Sequence, residues 1–281
     1  MTRLIKTTAE IKSILSGCAK PVGFVATMGA LHAGHISLIS AAKKECKTVV
    51  VSIFVNPLQF GPNEDLKKYP RDLKGDLKTC EENNVDIVFA PDENDIFPSE
   101  DSRKEIIKPP DELAAILCGK TRPMHFQGVA TIVKKLFDIL NPDISYWGEK
   151  DLQQIHIIKW LAKEYKLPIA LKACPTIREK NGFALSSRNR YLTDEDKEIA
   201  SNLYKSLKLA KDNIRSGIFT VSKARVEGLI FLSQSPQIKI EYFEARDKEN
   251  LNKVSENTTK GLYFLLAAKI KDVRLIDNIE V

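Results

Sequence analysis

Two of the chain's four histidines lie three residues apart in a short glycine-containing segment, Met28–His35. This segment follows an apolar run over Pro21–Thr27 and precedes a pattern that predicts a helix over Gly34–Lys44. A helix start offers backbone N–H groups to an anion, and two imidazoles at this spacing can lie on one face there. The spacing H-x-G-H therefore favours hydrogen bonding to phosphate oxygens over a packed turn with incidental histidines. A zinc pair is disfavoured, because no further ligand follows at a usual spacing.

A second polar segment, Ala184–Arg190, reads Ala-Leu-Ser-Ser-Arg-Asn-Arg. Its hydroxyls and guanidinium groups suit a negatively charged ligand. Alone, the segment is typical of a polar turn, but in the same chain as H-x-G-H it favours a functional role. Both segments indicate positioning and charge neutralisation, since no Ser-His-Asp or Cys-His set accompanies them.

Alternating strands and helices are predicted for the first part of the chain. Short apolar runs predict strands at Pro21–Thr27, Thr48–Val55, Asp86–Ala90, Ile144–Trp147 and Ile169–Ala173. Helical periodicity is found at Gly34–Lys44, Leu66–Asn83, Val129–Leu140 and Asp151–Tyr165. Strands separated by helices indicate a parallel, doubly wound sheet.

The pattern changes near residue 175. Two successive helices are predicted at Asp194–Ser216 and Val221–Ser233, and strands at Ile238–Ala245, Leu262–Ile270 and Val273–Ile276. We therefore expect an α/β fold, with a Rossmann-like doubly wound parallel sheet in residues 1–175 and a second, smaller α+β domain in residues 176–281. The join, Pro175–Arg190, is the kind of place where ligands often bind.

Composition excludes several classes of protein. Lys and Arg number 43 against 37 Asp and Glu, and this net charge of +6 is spread among acidic residues, which favours anionic small molecules over nucleic acid. No apolar run approaches the roughly 20 residues of a membrane helix, and no secretory signal is evident. The five cysteines are scattered without a C-x-x-C pair, as in reduced proteins. We expect a cytoplasmic protein that binds neither nucleic acid nor a membrane.

Further segments point to one family. H-x-G-H followed by a basic serine-containing motif resembles the nucleotidylyltransferase superfamily. Five other segments occur in order at Ser52–Pro62, Tyr69–Asp72, Arg122–Val129, Trp147–Gln154 and Leu275–Asn278. Together they resemble the pantothenate synthetase family over nearly the whole chain. The family usually has Pro where this chain has Ala26, and often has Met where it has Leu185.

The resemblance implies an ATP-dependent ligase that condenses pantoate with β-alanine through a pantoyl-adenylate, releasing AMP and pyrophosphate. It places the reaction in pantothenate and coenzyme A biosynthesis and implies Mg²⁺ with the nucleotide. It also implies a homodimer formed through the first domain. The first domain would bind ATP and pantoate, and the second would close over them as a lid.

The resemblance also implies roles for individual residues. The residues expected at ATP are Met28, Gly29, Ala30, Leu31, His32, Ala33, Gly34, His35, Gly148, Glu149, Lys150, Asp151, Ile177, Leu185, Ser186, Ser187 and Arg188. Those expected to be catalytic are His32, His35, Lys150, Ser186, Ser187 and Arg188, whereas Gln59 and Gln154 would bind pantoate. Lys150 would lie at the phosphates, Asp151 at the ribose and Ile177 at the adenine. The metal ligands stay open: Asp76 is a candidate, but a helix-surface acid is the favoured interpretation.

Three alternatives remain open. Another nucleotidylyltransferase would share the H-x-G-H motif, and it would release pyrophosphate from ATP without pantoate. An RNA-binding module would need a basic surface interleaved with aromatic residues, which make up only 7% of the chain. A non-catalytic nucleotide sensor would lack affinity for pantoate.

Overall fold

The computed structural model describes residues 1–62 and 64–281, which form two compact units. The first unit comprises Met1–Glu149 and Gln154–Pro175, and the second comprises Lys150–Gln153 and Thr176–Val281. The chain thus joins the second unit for four residues and then returns to the first. These four residues span the end of a 3₁₀ turn and the first two residues of the next helix, Leu152 and Gln153.

A parallel sheet forms the centre of the first unit. Its strands among the described residues are β1 (Arg3–Ile5), β2 (Val22–Thr27), β3 (Thr48–Ile53), β4 (Ile87–Phe89), β5 (Ile144–Gly148) and β6 (Ala170–Cys174). They are arranged in the order β1-β4-β3-β2-β5-β6, with every pairing parallel. This confirms the predicted α/β class with a doubly wound sheet.

The central strands are covered on both faces. Val49, Val50 and Val51 follow one another in β3, and none has exposed surface. Successive side chains of a strand point to opposite faces, so three consecutive buried valines require packing on both sides of the sheet. The β-branched sequence of β3 is therefore the expected one for a central parallel strand.

The sheet has a topological switch point between β2 and β5. After β2 the chain proceeds outward through β3 and β4, whereas β5 pairs with the other edge of β2. Ligands of doubly wound folds bind outside the carboxyl ends of the strands at such a point. Here those ends lead into Met28–His35 after β2 and into Glu149 after β5.

Helices flank these strands along the chain. They are α1 (Thr8–Leu15), α2 (Ala33–Glu45), α3 (Leu73–Glu82), α4 (Glu93–Ile96), α5 (Glu100–Lys104), α6 (Asp111–Ala114), α7 (Cys118–Thr121), α8 (His125–Leu140) and α9 (Leu152–Glu164). The prediction of one helix over Leu66–Asn83 was wrong at its start. Pro70 disfavours helical backbone in the residue before it, and Asp72 caps α3 by accepting the Gly75 N–H at 3.0 Å.

The second unit combines two helices with an antiparallel sheet. Its elements are α10 (Asp194–Arg215), α11 (Val221–Ser233), β7 (Ile238–Asp247), β8 (Leu262–Ile270) and β9 (Val273–Glu280), with β8 in the middle of the sheet. This confirms a smaller α+β part. The last strand runs four residues beyond its predicted end, and these residues include Asp277 and Asn278. No helix in the part of the chain that the structure describes is long and apolar enough to cross a membrane.

Candidate active site

The loop after β2 is shaped by its backbone and by a threonine. The Thr27 hydroxyl donates to the Ser52 carbonyl at 2.7 Å and accepts the Gly29 N–H at 3.1 Å. Gly29 and Ala30 both have positive φ, of 82° and 53°. A Cβ on Gly29 would lie 2.8 Å from an Asp76 carboxylate oxygen, so glycine is needed there for conformation and for space.

Asp76 holds this loop. Its side chain is buried, and its two oxygens accept the N–H groups of Ala30 at 2.9 Å and Leu31 at 2.7 Å. The interpretation of Asp76 as a helix-surface acid was therefore wrong, because the face of α3 that carries it is turned toward the loop. Both oxygens bond to backbone amides, which argues against its use as a magnesium ligand.

Replacing Asp76 with asparagine should loosen the loop. One loop N–H would face an amide NH₂ instead of an acceptor, and a buried unsatisfied donor costs about 1–3 kcal/mol. We expect a lower urea midpoint and a reduced kcat. Asp72→Asn on the same helix is the control, because asparagine caps a helix as well as aspartate does. An Asp76→Asn variant of wild-type stability whose rate is restored by excess Mg²⁺ would instead indicate a metal ligand.

The two histidines cap α2 reciprocally. The Nδ1 atom of His32 accepts the Gly34 N–H at 3.1 Å, and that of His35 accepts the His32 N–H at 3.3 Å. Their ring centroids are 4.1 Å apart. Because Nδ1 accepts in both rings, the proton of each neutral imidazole is on Nε2, which is then a hydrogen-bond donor.

This capping corrects one expectation. The sequence suggested that the helix start at Gly34 would offer unpaired N–H groups to an anion. The helix begins at Ala33, and the Gly34 N–H is bonded to His32. The Nε2–H groups of His32 and His35 therefore become the stronger candidates for contact with phosphate.

Gln59 lies against the same loop. Its Nε2 atom donates to the Sδ atom of Met28 at 3.0 Å, and its Oε1 atom accepts from Asn56 Nδ2 at 3.2 Å. Asn56 is almost completely buried and also donates to the Gly128 carbonyl at 3.1 Å. The structure thus brings the pantoate candidate Gln59 to the ATP candidate Met28, and Asn56 orients the Gln59 amide.

The backbone at Gln59 has its own supports. Its carbonyl accepts from Arg122 Nη2 at 3.3 Å and is bonded to His125 Nδ1 at 2.9 Å. Arg122 is in turn bonded to Glu64 through Nε at 2.8 Å. Arg122 and His125 both belong to the motif Arg122–Val129, and both support the turn that carries Gln59.

Gly128 in α8 allows this turn to approach the helix. A Cβ at residue 128 would lie 2.2 Å from the Leu58 carbonyl oxygen and 2.6 Å from the Gln59 nitrogen. Both atoms belong to the backbone, so neither can move without displacing the turn. We expect Gly128→Ala to destabilise the fold by about 1–3 kcal/mol and to raise KM for pantoate.

Urea unfolding and substrate titration check this prediction, with Gly17→Ala as the matched control. A Cβ at Gly17 would meet only the Ile14 carbonyl oxygen, at 3.9 Å, so that variant should behave like the wild type. Equal unfolding midpoints for the two variants would show that the turn accommodates a methyl group.

Gly148, Glu149 and Gln154 complete the candidates of the first unit. Gly148 is the last residue of β5, the strand that pairs with β2, and Glu149 follows it. Gln154 lies in the first turn of α9 and is half-buried.

The remaining candidates lie in the second unit. Lys150 Nζ is 3.0 Å from Asp151 Oδ2, and its side chain is only 18% exposed. Leu185 donates its N–H to the Ile177 carbonyl at 3.0 Å, so the adenine candidate and the start of the serine motif are neighbours. Ser186 accepts the Arg188 N–H at 3.3 Å and caps a short 3₁₀ turn over Ser187–Tyr191, in which Ser187 is buried.

A buried ion pair that the sequence did not indicate lies beside this segment. Arg178 and Asp277 form two parallel hydrogen bonds of 2.7 and 2.8 Å. Burial raises the pKa of the Asp277 carboxyl above its ordinary value, although the Arg178 guanidinium opposes this effect. The sequence signal was the motif Leu275–Asn278, which the resemblance included without a chemical role.

The described residues contain no dedicated metal centre: no three His, Cys, Asp or Glu side chains among them are grouped so as to hold an ion. Mg²⁺ commonly reaches an enzyme bound to nucleotide phosphates, with several waters and one or two carboxylates.

The first unit belongs to the class of doubly wound α/β proteins with a candidate ligand site at the switch point. The family model "Pantoate-beta-alanine ligase" matches residues 3–280 of the chain. This chain belongs to the pantoate–β-alanine ligase family.

A curated relative is consistent with this assignment. The bifunctional pantoate ligase/cytidylate kinase of Synechococcus elongatus is 45% identical over 92% of this chain and 49% of its own length. The chain thus spans about half the length of that relative.

Solved structures extend the similarity to the whole fold. Pantothenate synthetase from Thermus thermophilus is 38% identical, with a TM-score of 0.94 and 99% of both chains covered. Pantoate–β-alanine ligase from Francisella tularensis, complexed with β-γ ATP and β-alanine, is 38% identical, with a TM-score of 0.82 and coverage of 100% and 98%.

Proposed function

We propose that this protein condenses pantoate with β-alanine at the expense of ATP, through a pantoyl-adenylate intermediate. Family membership over residues 3–280 and the similar structure with β-γ ATP and β-alanine support this function. The observation that carries it is the loop after β2. There, two imidazoles 4.1 Å apart cap the helix through Nδ1, and an Nε2–H group is a donor suited to phosphate oxygens.

In the first step, a pantoate carboxylate oxygen attacks the α-phosphorus of ATP. The new P–O bond forms as the bond to the bridging oxygen breaks, and pyrophosphate leaves with Mg²⁺. His32 and His35 donate to the phosphates, and the Met28–Gly34 backbone lines them. Gln59 and Gln154 bind the hydroxyl and carboxylate groups of pantoate, which aligns its oxygen for attack.

Cationic and hydroxyl side chains also act in this step. Lys150, Ser186, Ser187 and Arg188 offset the charge that accumulates on the pyrophosphate. Asp151 binds the ribose, the backbone of Ile177 binds the adenine, and Leu185 closes over the triphosphate with the serine motif. Gly148, at the carboxyl end of β5, and Glu149, which follows it, also contact the nucleotide.

In the second step, the neutral amine of β-alanine attacks the acyl carbon of the adenylate. The C–N bond forms, the C–O bond to the phosphate breaks, the amine nitrogen gives up one proton to the departing phosphate, and AMP leaves. Activation is required because a carboxylate and an ammonium do not condense at neutral pH.

No covalent bond to the protein is needed in either step. Burial raises the pKa of the Cys46 and Cys174 thiols, and it raises that of Cys80 to about 12, so these thiols stay protonated at neutral pH. A thiolate nucleophile is therefore not supplied by these residues. Magnesium enters as part of the ATP substrate, and we further propose a homodimer that works in the cytoplasm.

Omission of each substrate in turn tests the function. Pyrophosphate release from Mg-ATP should require pantoate, and continuous AMP formation should require both pantoate and β-alanine. Pyrophosphate release without pantoate would indicate transfer to another acceptor. Binding of ATP without any turnover or pantoate affinity would indicate a nucleotide sensor.

A further inference from the structure

The closing strand β9 contains two buried polar residues to which the proposed reaction assigns no task. Asp277 and Asn278 are 4% and 5% exposed. Burying a carboxylate is costly unless it is paired and hydrogen-bonded. The hydrogen-bond partners of these two residues therefore indicate which part of the structure their burial serves.

Asp277 is paired with Arg178 through both carboxylate oxygens, and its Oδ1 atom also accepts the Asn278 N–H at 2.7 Å. The same guanidinium donates to the carbonyls of Gly182 at 3.1 Å and Asn278 at 3.0 Å. It also lies 4.0 Å from the centre of the Tyr204 ring. Contacts in so many directions hold the arginine in one orientation.

Arg178 belongs to a hairpin that ends at the serine motif. It pairs with Ala184 in an antiparallel bridge, beside the bond between Leu185 N–H and the Ile177 carbonyl. The hairpin turn at Gly182 has a φ of 90°, and a Cβ there would collide with Tyr204. Fixing Arg178 therefore fixes the candidate adenine contact at one side and the approach to Ser186 at the other.

Asn278 extends the contacts to Lys150. Its Nδ2 atom donates to the Lys150 carbonyl at 3.0 Å. This bond holds the backbone of the residue whose ammonium group is assigned to the ATP phosphates.

We propose that Arg178, Asp277 and Asn278 are positioning residues that hold Lys150 and the Ile177–Arg188 segment in the arrangement that binds ATP. This inference rests on the proposed function and adds residues that touch no substrate. A requirement for stability alone would not explain an ion pair here, because apolar residues of similar volume stabilise a core at least as well.

The test compares a broken pair with an apolar replacement of the pair. Asp277→Leu alone leaves the Arg178 charge without its partner, so the urea midpoint should fall. The double variant Arg178→Met/Asp277→Leu should recover much of that midpoint. If the pair positions the segment, kcat/KM for ATP should nevertheless stay about 10–100-fold below wild type in the double variant, with KM for pantoate unchanged.

Asn278→Ala supplies an independent measurement with a milder change. It should raise KM for ATP and leave the urea midpoint near that of Asn202→Ala. Asn202 is the matched control because its amide donates to Ser235 at 3.0 Å in the same unit, apart from the segment. Equal KM values for ATP in the two variants would overturn the role of Asn278.

Hydrogen exchange of the ATP-free protein separates this inference from the proposed function. Peptides covering residues 176–190 should exchange faster in Asp277→Asn than in Asp196→Asn. Asp196 is a comparably buried carboxylate paired with Lys271 in the same unit, at 2.6 Å. Equal exchange in the two variants would overturn the positioning role. If the wild type showed no pantoate-dependent turnover, only the assigned reaction would be overturned.

Discussion

His35→Asn should lower the rate of pantoyl-adenylate formation by about 10²–10³-fold, the usual cost of one preorganised transition-state donor. The asparagine oxygen can replace Nδ1 as the acceptor of the His32 N–H, so the cap of α2 is retained. The asparagine side chain has no donor at the position of Nε2. The variant therefore separates the structural nitrogen of this imidazole from the one that we assign to the phosphates.

His35→Gln is the complementary variant. Its amide nitrogen reaches about as far as Nε2, but it offers no acceptor at the position of Nδ1. We expect it to keep more activity than His35→Asn while losing more stability. Pantoate-dependent pyrophosphate release, measured with urea unfolding of both proteins, checks the pair. The opposite order of activities would show that His35 serves the loop structure alone.

Lys150→Met should have an effect of similar size, with kcat/KM for ATP reduced by about 10²–10³-fold. The lysine is adjacent to the start of α9, where a cation is unfavourable unless an anion compensates it. Asp151 Oδ2, at 3.0 Å, supplies that compensation without nucleotide. Phosphate oxygens would take over part of this role when ATP binds. Lys150→Arg should be intermediate, because it keeps the charge but changes its geometry.

Lys134→Met is the control for Lys150→Met. The Lys134 side chain is also 18% exposed and is also ion-paired, with Asp138 at 2.6 Å in α8. Its loss removes the same residue type at the same burial, and its contacts with Asp138 and the Tyr165 ring involve no candidate ATP residue. Steady-state kinetics should show wild-type turnover for this variant. Equal rates for the two methionine variants would contradict a phosphate contact by Lys150.

Elements with a strong repeating pattern were predictable from the sequence. The valine run of β3 and the periodic segments of α2, α10 and α11 appear close to their predicted bounds. The short edge strand β1 and the small helices α4–α7 were not predicted. A helix of four or five residues has too few repeats for its periodicity to stand out, and β1 contains only two consecutive apolar residues, Leu4 and Ile5.

The contacts among the candidate site residues could not be predicted from the sequence. The sequence singled out His32, His35 and Gln59, yet it did not indicate that the imidazoles cap a helix through Nδ1 or that Gln59 lies against Met28. Asp76 was misjudged because a polar residue on a helix is usually exposed. Its burial depends on the β2 loop, 45 and 46 residues away along the chain.

The order of the longer strands and helices and the family were determined by the sequence alone, because local periodicity and short motifs encode them. The sequence also supplied the chemical types of the residues proposed for the reaction centre. Only the tertiary structure decided which oxygen or nitrogen each side chain uses. The pairing of Arg178 with Asp277 is the clearest case: 99 residues separate them, and each is an ordinary charged residue in its own segment. Burial turns such a pair into a specific contact, because a charge removed from water is tolerated only beside its partner.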